Sequence, residues 1–188
     1  CHRTLIAQFF SGFKTGELNL DTIRAFTRQE GNKIRYFAGL RSTAVNPAQE
    51  KQTFNAALFG NIFNDSLTTN FVFRDKKEGV GIRFGLKTLL MPEGLNIKFQ
   101  PNATLLGNKF MFSKDNHINI GKGFSIEADV LLSDSSNAGM HIYTNPDPTA
   151  SYNANLDLFN VNLKKVTSLL PFAPDISGML NLNLFFRQ

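Results

Sequence analysis

Several groupings in this sequence carry residue types that do chemistry. Glu127 and Asp129 stand two apart, a spacing that puts both carboxylates on one face of a strand. Paired carboxylates can divide acid and base work between them. Here they fall on the polar phase of an alternating segment, where solvated charge is the simpler role. His117 and His141 also fall opposite the oily phase. Two imidazoles on adjacent strands could meet as metal ligands, but no third ligand is spaced to complete a site. Gly79-Val80-Gly81-Ile82-Arg83-Phe84-Gly85 looks like a glycine-rich phosphate loop. It lacks the following helix and the Lys-Ser/Thr that such loops need. Glycine on one phase of a strand suits curvature or close backbone packing instead. No Ser or Cys nucleophile has a base in a recognisable arrangement.

The elements that must position these residues are strands. Val80, Ile82, Phe84 and Leu86 take one phase, and Gly81, Arg83, Gly85 and Lys87 take the other. Phe124, Ile126, Ala128 and Val130 oppose Ser125, Glu127 and Asp129. Period two is the mark of a strand with one apolar and one wet face. The pattern returns at Ile34 to Leu40, Leu67 to Phe73, Leu95 to Phe99, Phe110 to Phe112, Ile118 to Ile120, Met140 to Thr144, Tyr152 to Leu158 and Leu180 to Phe186. Asn64-Asp65-Ser66, Pro92-Glu93-Gly94, Lys114-Asp115-Asn116 and Gly121-Lys122-Gly123 supply turn chemistry between them. About ten strands joined by short turns predict an antiparallel meander.

Two segments read differently. Asp21 could cap a brief helix over residues 22–26 stopped at Gly31, or residues 23–29 could pair as a strand. Leu163, Val166 and Leu170 are spaced by three and four, which predicts a short amphipathic helix over about 163–170 ended by Pro171. The organisation expected is a single fragment over 1–188, with a less regular part over 1–45 and the main sheet over 46–188. The fold class is all-β, mainly antiparallel, with one short helix near the carboxyl end. An open curved sheet with an apolar groove, a β-sandwich and a closed barrel all satisfy the alternation.

Composition narrows the function classes. The chain of 188 residues carries a net charge of +5, with its Lys and Arg scattered along the sequence. A basic stripe of the kind nucleic-acid binders use is missing, so no nucleic-acid partner is expected. Phe is used 19 times and Trp not at all; Phe supplies apolar area without a hydrogen-bonding handle. One cysteine, Cys1, excludes an internal disulfide. It could be the lipid-bearing first residue of a bacterial lipoprotein or an ordinary thiol. Because residue 1 is not Met, a processed protein or an excised piece is expected. No run approaches the roughly 18 apolar residues of a membrane-spanning helix.

The carboxyl-terminal quarter carries a resemblance. Residues 156–163, Leu-Asp-Leu-Phe-Asn-Val-Asn-Leu, lead through the helix to residues 169–184, Leu-Leu-Pro-Phe-Ala-Pro-Asp-Ile-Ser-Gly-Met-Leu-Asn-Leu-Asn-Leu. A strand, a short amphipathic helix, a Pro-containing loop, Ser-Gly and a Leu-Asn strand resemble the recurrent unit of the AsmA-like family, and most closely its TamB branch. The turns at 63–67 and 114–118 are similar to those between TamB repeats. The resemblance spans roughly the last 70 residues and rests on a repeat pattern of moderate specificity.

It implies a periplasmic β-structure curled into a half-pipe with an apolar lining (a β-taco), within an inner-membrane-anchored envelope protein. It implies phospholipid transport, outer-membrane biogenesis, protein secretion and assembly, and an outer-membrane β-barrel partner. No enzyme activity, metal or cofactor is expected. Phospholipid acyl chains would be the ligand, each buried CH₂ contributing about 0.8 kcal/mol. The candidate lining is Val80, Ile82, Phe84, Leu86, Leu95, Ile97, Phe99, Phe110, Phe112, Ile118, Ile120, Phe124, Ile126, Val130, Tyr152, Leu156, Leu158, Leu180, Leu182 and Leu184. Residues 164–170 would cap or line one end, and open sheet edges could support a dimer. The alternative from a different class is a closed β-sandwich acting as a structural or adhesion module, in which the same residues form a dry core. A lipid-carrier barrel is a third reading, and an enzyme the last.

Overall fold

The computed structural model describes residues 2–9, 13–15, 18–42, 54–75, 79–105, 107–145, 153–167, 174 and 176–187, with 2–21, 75, 153 and 187 described by their backbone alone. The fold is all-β and antiparallel, with one short helix among the described residues, near the carboxyl end. By internal contacts the chain divides into two units, Cys1–Gly85 with Thr104–Gly107 and Leu86–Ala103 with Asn108–Gln188.

In the first unit the strands run β1 (His2–Phe9), β3 (Leu18–Glu30), β4 (Lys33–Ser42), β5 (Phe54–Phe63), β6 (Ser66–Asp75) and the first half of β7 (Val80–Met91). Short β2 (Phe13–Thr15) folds back on the start of β3, and the end of β9 (Asn102–Leu105) pairs with β7 through Ile82 and Leu105. The helix considered over 22–26 does not form. Thr22, Ile23, Phe26 and Thr27 are β-branched or aromatic, and β3 is hydrogen-bonded on both sides, to β1 and to β4. Gly31 turns β3 into β4 with φ +63°, a conformation that costs glycine nothing. Asn64 does the same service between β5 and β6 at φ +49°.

Register places Ile34, Ala38 and Leu40 beside Ile62, Leu58 and Ala56, and these beside Leu67, Phe71 and Phe73. They make the apolar face of this unit. Phe84 of β7 joins it, its ring 5.5 Å from Phe71. Gly60 leaves room on this face for Tyr36, whose hydroxyl donates to the Thr68 carbonyl at 2.9 Å and meets the Thr69 hydroxyl at 2.5 Å. A methyl at Gly60 would collide with that carbonyl and displace the ring.

The second unit runs from the second half of β7 through β8 (Gly94–Phe99), β11 (His117–Gly121), β12 (Ile126–Ser133), β13 (Gly139–Thr144) and β14 (Asn153–Asn162) to β15 (Met179–Arg187). β10 (Asn108–Phe112) pairs with the far end of β12, placing Phe112 beside Leu132. Buried Asn116 joins two segments: its side chain accepts from the Phe99 amide at 2.6 Å and donates to the Phe99 and Ser113 carbonyls. The helix α1 spans Leu163–Thr167, with Asn162 accepting from the Lys165 amide at 3.2 Å at its start. The remainder of the expected segment, residues 168–170, lies outside the described residues. No helix among the described residues is long and apolar enough to cross a membrane.

In the second unit, two irregularities among the described residues reset the phase. Between β14 and β15 the register shifts from Leu158↔Leu182 to Val161↔Leu180, a bulge. Asn160 sits there at φ +52°, its amide donating to the Asn181 side chain at 2.9 Å. Before β12, a 3-10 turn over Lys122–Phe124 holds Gly123 and Phe124 at positive φ, and the Gly121 amide donates to the Ser125 carbonyl at 2.8 Å. The strand therefore begins at Ile126, not at Phe124.

Candidate functional site

Pairing register settles which of the expected lining residues share a face in the second unit. Leu86 stands opposite Phe99, and Ile97 and Leu95 stand opposite Ile118 and Ile120. Ile120 stands opposite Ile126, Val130 opposite Ile142, Leu156 opposite both Ile142 and Leu184, and Leu158 opposite Leu182. Partners directly opposite in an antiparallel ladder project to the same side. Phe112 joins them through Leu132, Phe110 shares its phase, and Leu180 rejoins after the bulge opposite Val161. The face was drawn too small from sequence: Leu90, Ala128, Leu132, Met140, Ile142, Ala154 and Phe186 also belong to it. Alternation was visible in each segment, but register across strands supplies their common side.

Val80, Ile82 and Phe84 belong to the first unit. Phe124 leaves the set, because the turn takes it out of strand phase and leaves it 81% exposed. Tyr152 lies outside the described residues.

Burial divides the face. Val130 and Leu132 are each 1% exposed, and Phe110, Phe112 and Ala128 are also buried. Phe112 stacks on Phe99 with ring centroids 4.6 Å apart. These residues form a sealed apolar centre. Away from it, Leu95, Ile97, Ile118, Ile120, Leu156, Leu158 and Leu182 are only half-buried. Ile126 is 50% exposed and Phe186 58%. Apolar side chains are thus presented on a connected sheet face that is partly open.

The reverse face of the second unit is mixed, with exposed Met111, Leu131 and Phe185 beside a set of polar pairs. The Asn96 amide donates to the Asn119 carbonyl oxygen at 2.6 Å, and Asn119 donates to Glu127 at 3.1 Å. His141 Nε2 lies 2.8 Å from Asp129 and its ring stacks on Tyr143. His117 meets Glu127 at 3.8 Å, with its Nδ1 2.8 Å from the Asp115 carbonyl. The Asn183 amide donates to Asp157 at 2.8 Å. The two histidines sit on β11 and β13, on either side of β12, and each is engaged with its own carboxylate rather than with the other. Among the described residues no group of three or more His, Cys, Asp or Glu is placed to hold a metal ion. Charge pairs on a wet face of this kind contribute modestly to stability.

No family model matches the chain, and neither a curated protein nor a solved structure matches it.

Proposed function

We propose that this chain is a non-enzymatic periplasmic segment of an AsmA-like envelope protein of the TamB kind, and that it binds or conducts phospholipid along the apolar face of its sheet. The observation that carries the reading is the register-matched apolar face of the second unit, half-buried or exposed on both sides of its sealed centre. Soluble proteins seldom leave a contiguous apolar surface of this kind without an occupant. Acyl chains suit it because the face offers apolar area without a charge to hold a headgroup in place, so a bound lipid can slide. The resemblance of the carboxyl-terminal quarter supports the same assignment, together with an outer-membrane barrel partner and a place in outer-membrane assembly. β15 is hydrogen-bonded to β14 on one side, and its other edge is suited to pairing with further sheet or with a second copy.

The buried cluster of Phe110, Phe112, Val130 and Leu132 favours the competing reading locally, since those residues behave as a dry core. Mass spectrometry of an organic extract from the purified protein separates the two. Stoichiometric phospholipid, depleted in Ile126→Asp, is the expected result. A clean extract, with no uptake of added phospholipid, would assign the face to structure alone.

A further inference from the structure

The reverse of the apolar face in the first unit carries a surface of different chemistry. Register aligns three cross-strand rows there. Thr22, Arg41, Asn55 and Arg74 form one, Arg24, Gly39, Ala57 and Val72 the next, and Phe26, Phe37, Phe59 and Asn70 the third. Beyond Arg24 the middle row consists of small side chains, so it lies lower than its neighbours. Two adjoining depressions of about 270 Å³ each follow it, and the second reaches Arg83 on β7. Phe37 stacks on Phe26 with centroids 5.2 Å apart and leans over Gly39, forming one wall. The arginine row forms the other.

Arg24, Arg41 and Arg83 are exposed, and among the described residues none of them pairs with a carboxylate. Glu30, the acidic side chain of this face among the described residues, is already taken by Arg28 at 3.2 Å and Arg35 at 3.3 Å. Scattered in the sequence, these arginines are gathered by the register into one positively charged patch interleaved with exposed phenyl rings.

We propose that this face docks onto anionic phospholipid headgroups at a bilayer surface. Guanidinium forks match phosphate oxygens bidentately, and Phe26 and Phe59 supply apolar area for the boundary between headgroups and acyl chains. A nucleic acid would bring the same phosphates. The polar edges of its bases would then lose water over the floor of Gly39, Ala57 and Val72, which offers no side-chain partners, and that is costly. The docking does not depend on lipid lying along the apolar face of the second unit.

Flotation of the intact chain with vesicles tests this, using phosphatidylcholine alone or mixed in equal parts with phosphatidylglycerol. Binding is expected only to the mixed vesicles. At about fivefold per arginine, it should weaken by about a hundredfold in the triple variant R24Q/R41Q/R83Q. The unmodified chain should be released at about 1 M salt, where the Debye length is about 3 Å, so the test does not hang on the folding of the variant. Ile126→Asp, aimed at the lipid-conducting face, should float as the unmodified chain does, which separates the two proposals. Equal binding to neutral vesicles, salt-insensitive binding, full retention by the arginine variant, or preference for a single-stranded oligonucleotide over the mixed vesicles would each overturn the assignment.

Discussion

At Asp134 one carboxylate organises the connection between β12 and β13. Its Oδ1 accepts from the Ser136 hydroxyl at 2.7 Å, the Ser136 amide at 2.8 Å and the Ala138 amide at 2.9 Å. The Ser136 hydroxyl, and then the two amides, hold the carboxyl below its ordinary 3.8, against partial burial that acts the other way. A carboxyl whose folded value is depressed contributes stability that is fully present above its unfolded value and is lost as pH falls through the folded one. Asp134→Ala should therefore cost about 1 kcal/mol at neutral pH, the worth of a charge-assisted turn discounted for solvent. The gap between variant and parent should close in urea titrations carried out well below pH 3.8. A gap that stays constant with pH would mean the loop, not the charge, was the contribution. The same scale explains what the residue types concealed. Asn64 and Asn160 both take positive φ, yet one closes an ordinary two-residue turn and the other resets a register. Only the cross-strand partner distinguishes them.

A single strand shows how far alternation could be read. On β12, Ile126, Ala128, Val130 and Leu132 share one phase, and the sequence makes them equivalent. The structure does not: Ile126 is 50% exposed and Val130 1%. β10 pairs alongside β12 at its Leu132 end alone, where Phe112 is buried as well. Val130→Asp should unfold the second unit, because an unpaired charge in a sealed site costs several kcal/mol. Ile126→Asp, on the same face of the same strand, should shift the urea midpoint by less than about 1 kcal/mol equivalent. If both variants melted alike, the face would be uniformly sealed and the partly open site would not exist. Most strands were legible because period two survives in their segments, whereas β1 was not, because Leu5, Ile6 and Ala7 follow one another and blur the alternation. β3 was ambiguous because its residues also suit a short amphipathic turn, and long-range pairing on both sides decided it. The start of β12 was misplaced because Phe124 keeps the apolar phase of the sequence while the backbone at φ +62° leaves the strand.

Across the whole molecule, apolar residues remain accessible in each unit: Leu58 and Ile62 in the first, Ile126, Leu184 and Phe186 in the second. A folded chain that keeps such surface wet gives up part of its hydrophobic stabilisation, and an occupant restores it. The native protein should bind an apolar fluorescent dye without denaturant, and phospholipid should displace it. Lipid that binds only the folded state stabilises it by about 2.7 kcal/mol at a free concentration of 100 times Kd. For a chain of this size that corresponds to a rise in melting temperature of about 5–10 °C. The arginine variant R24Q/R41Q/R83Q separates the sources of the rise. Stabilisation by a detergent-dispersed phospholipid should persist in it, since acyl chains rest on the apolar faces, while flotation with anionic vesicles is lost. If the rise disappeared together with flotation, headgroup capture by the arginines would account for all the lipid binding, and the apolar faces would have no occupant. If neither dye nor lipid acted on the unmodified chain, the half-buried residues would be packing surface for another polypeptide.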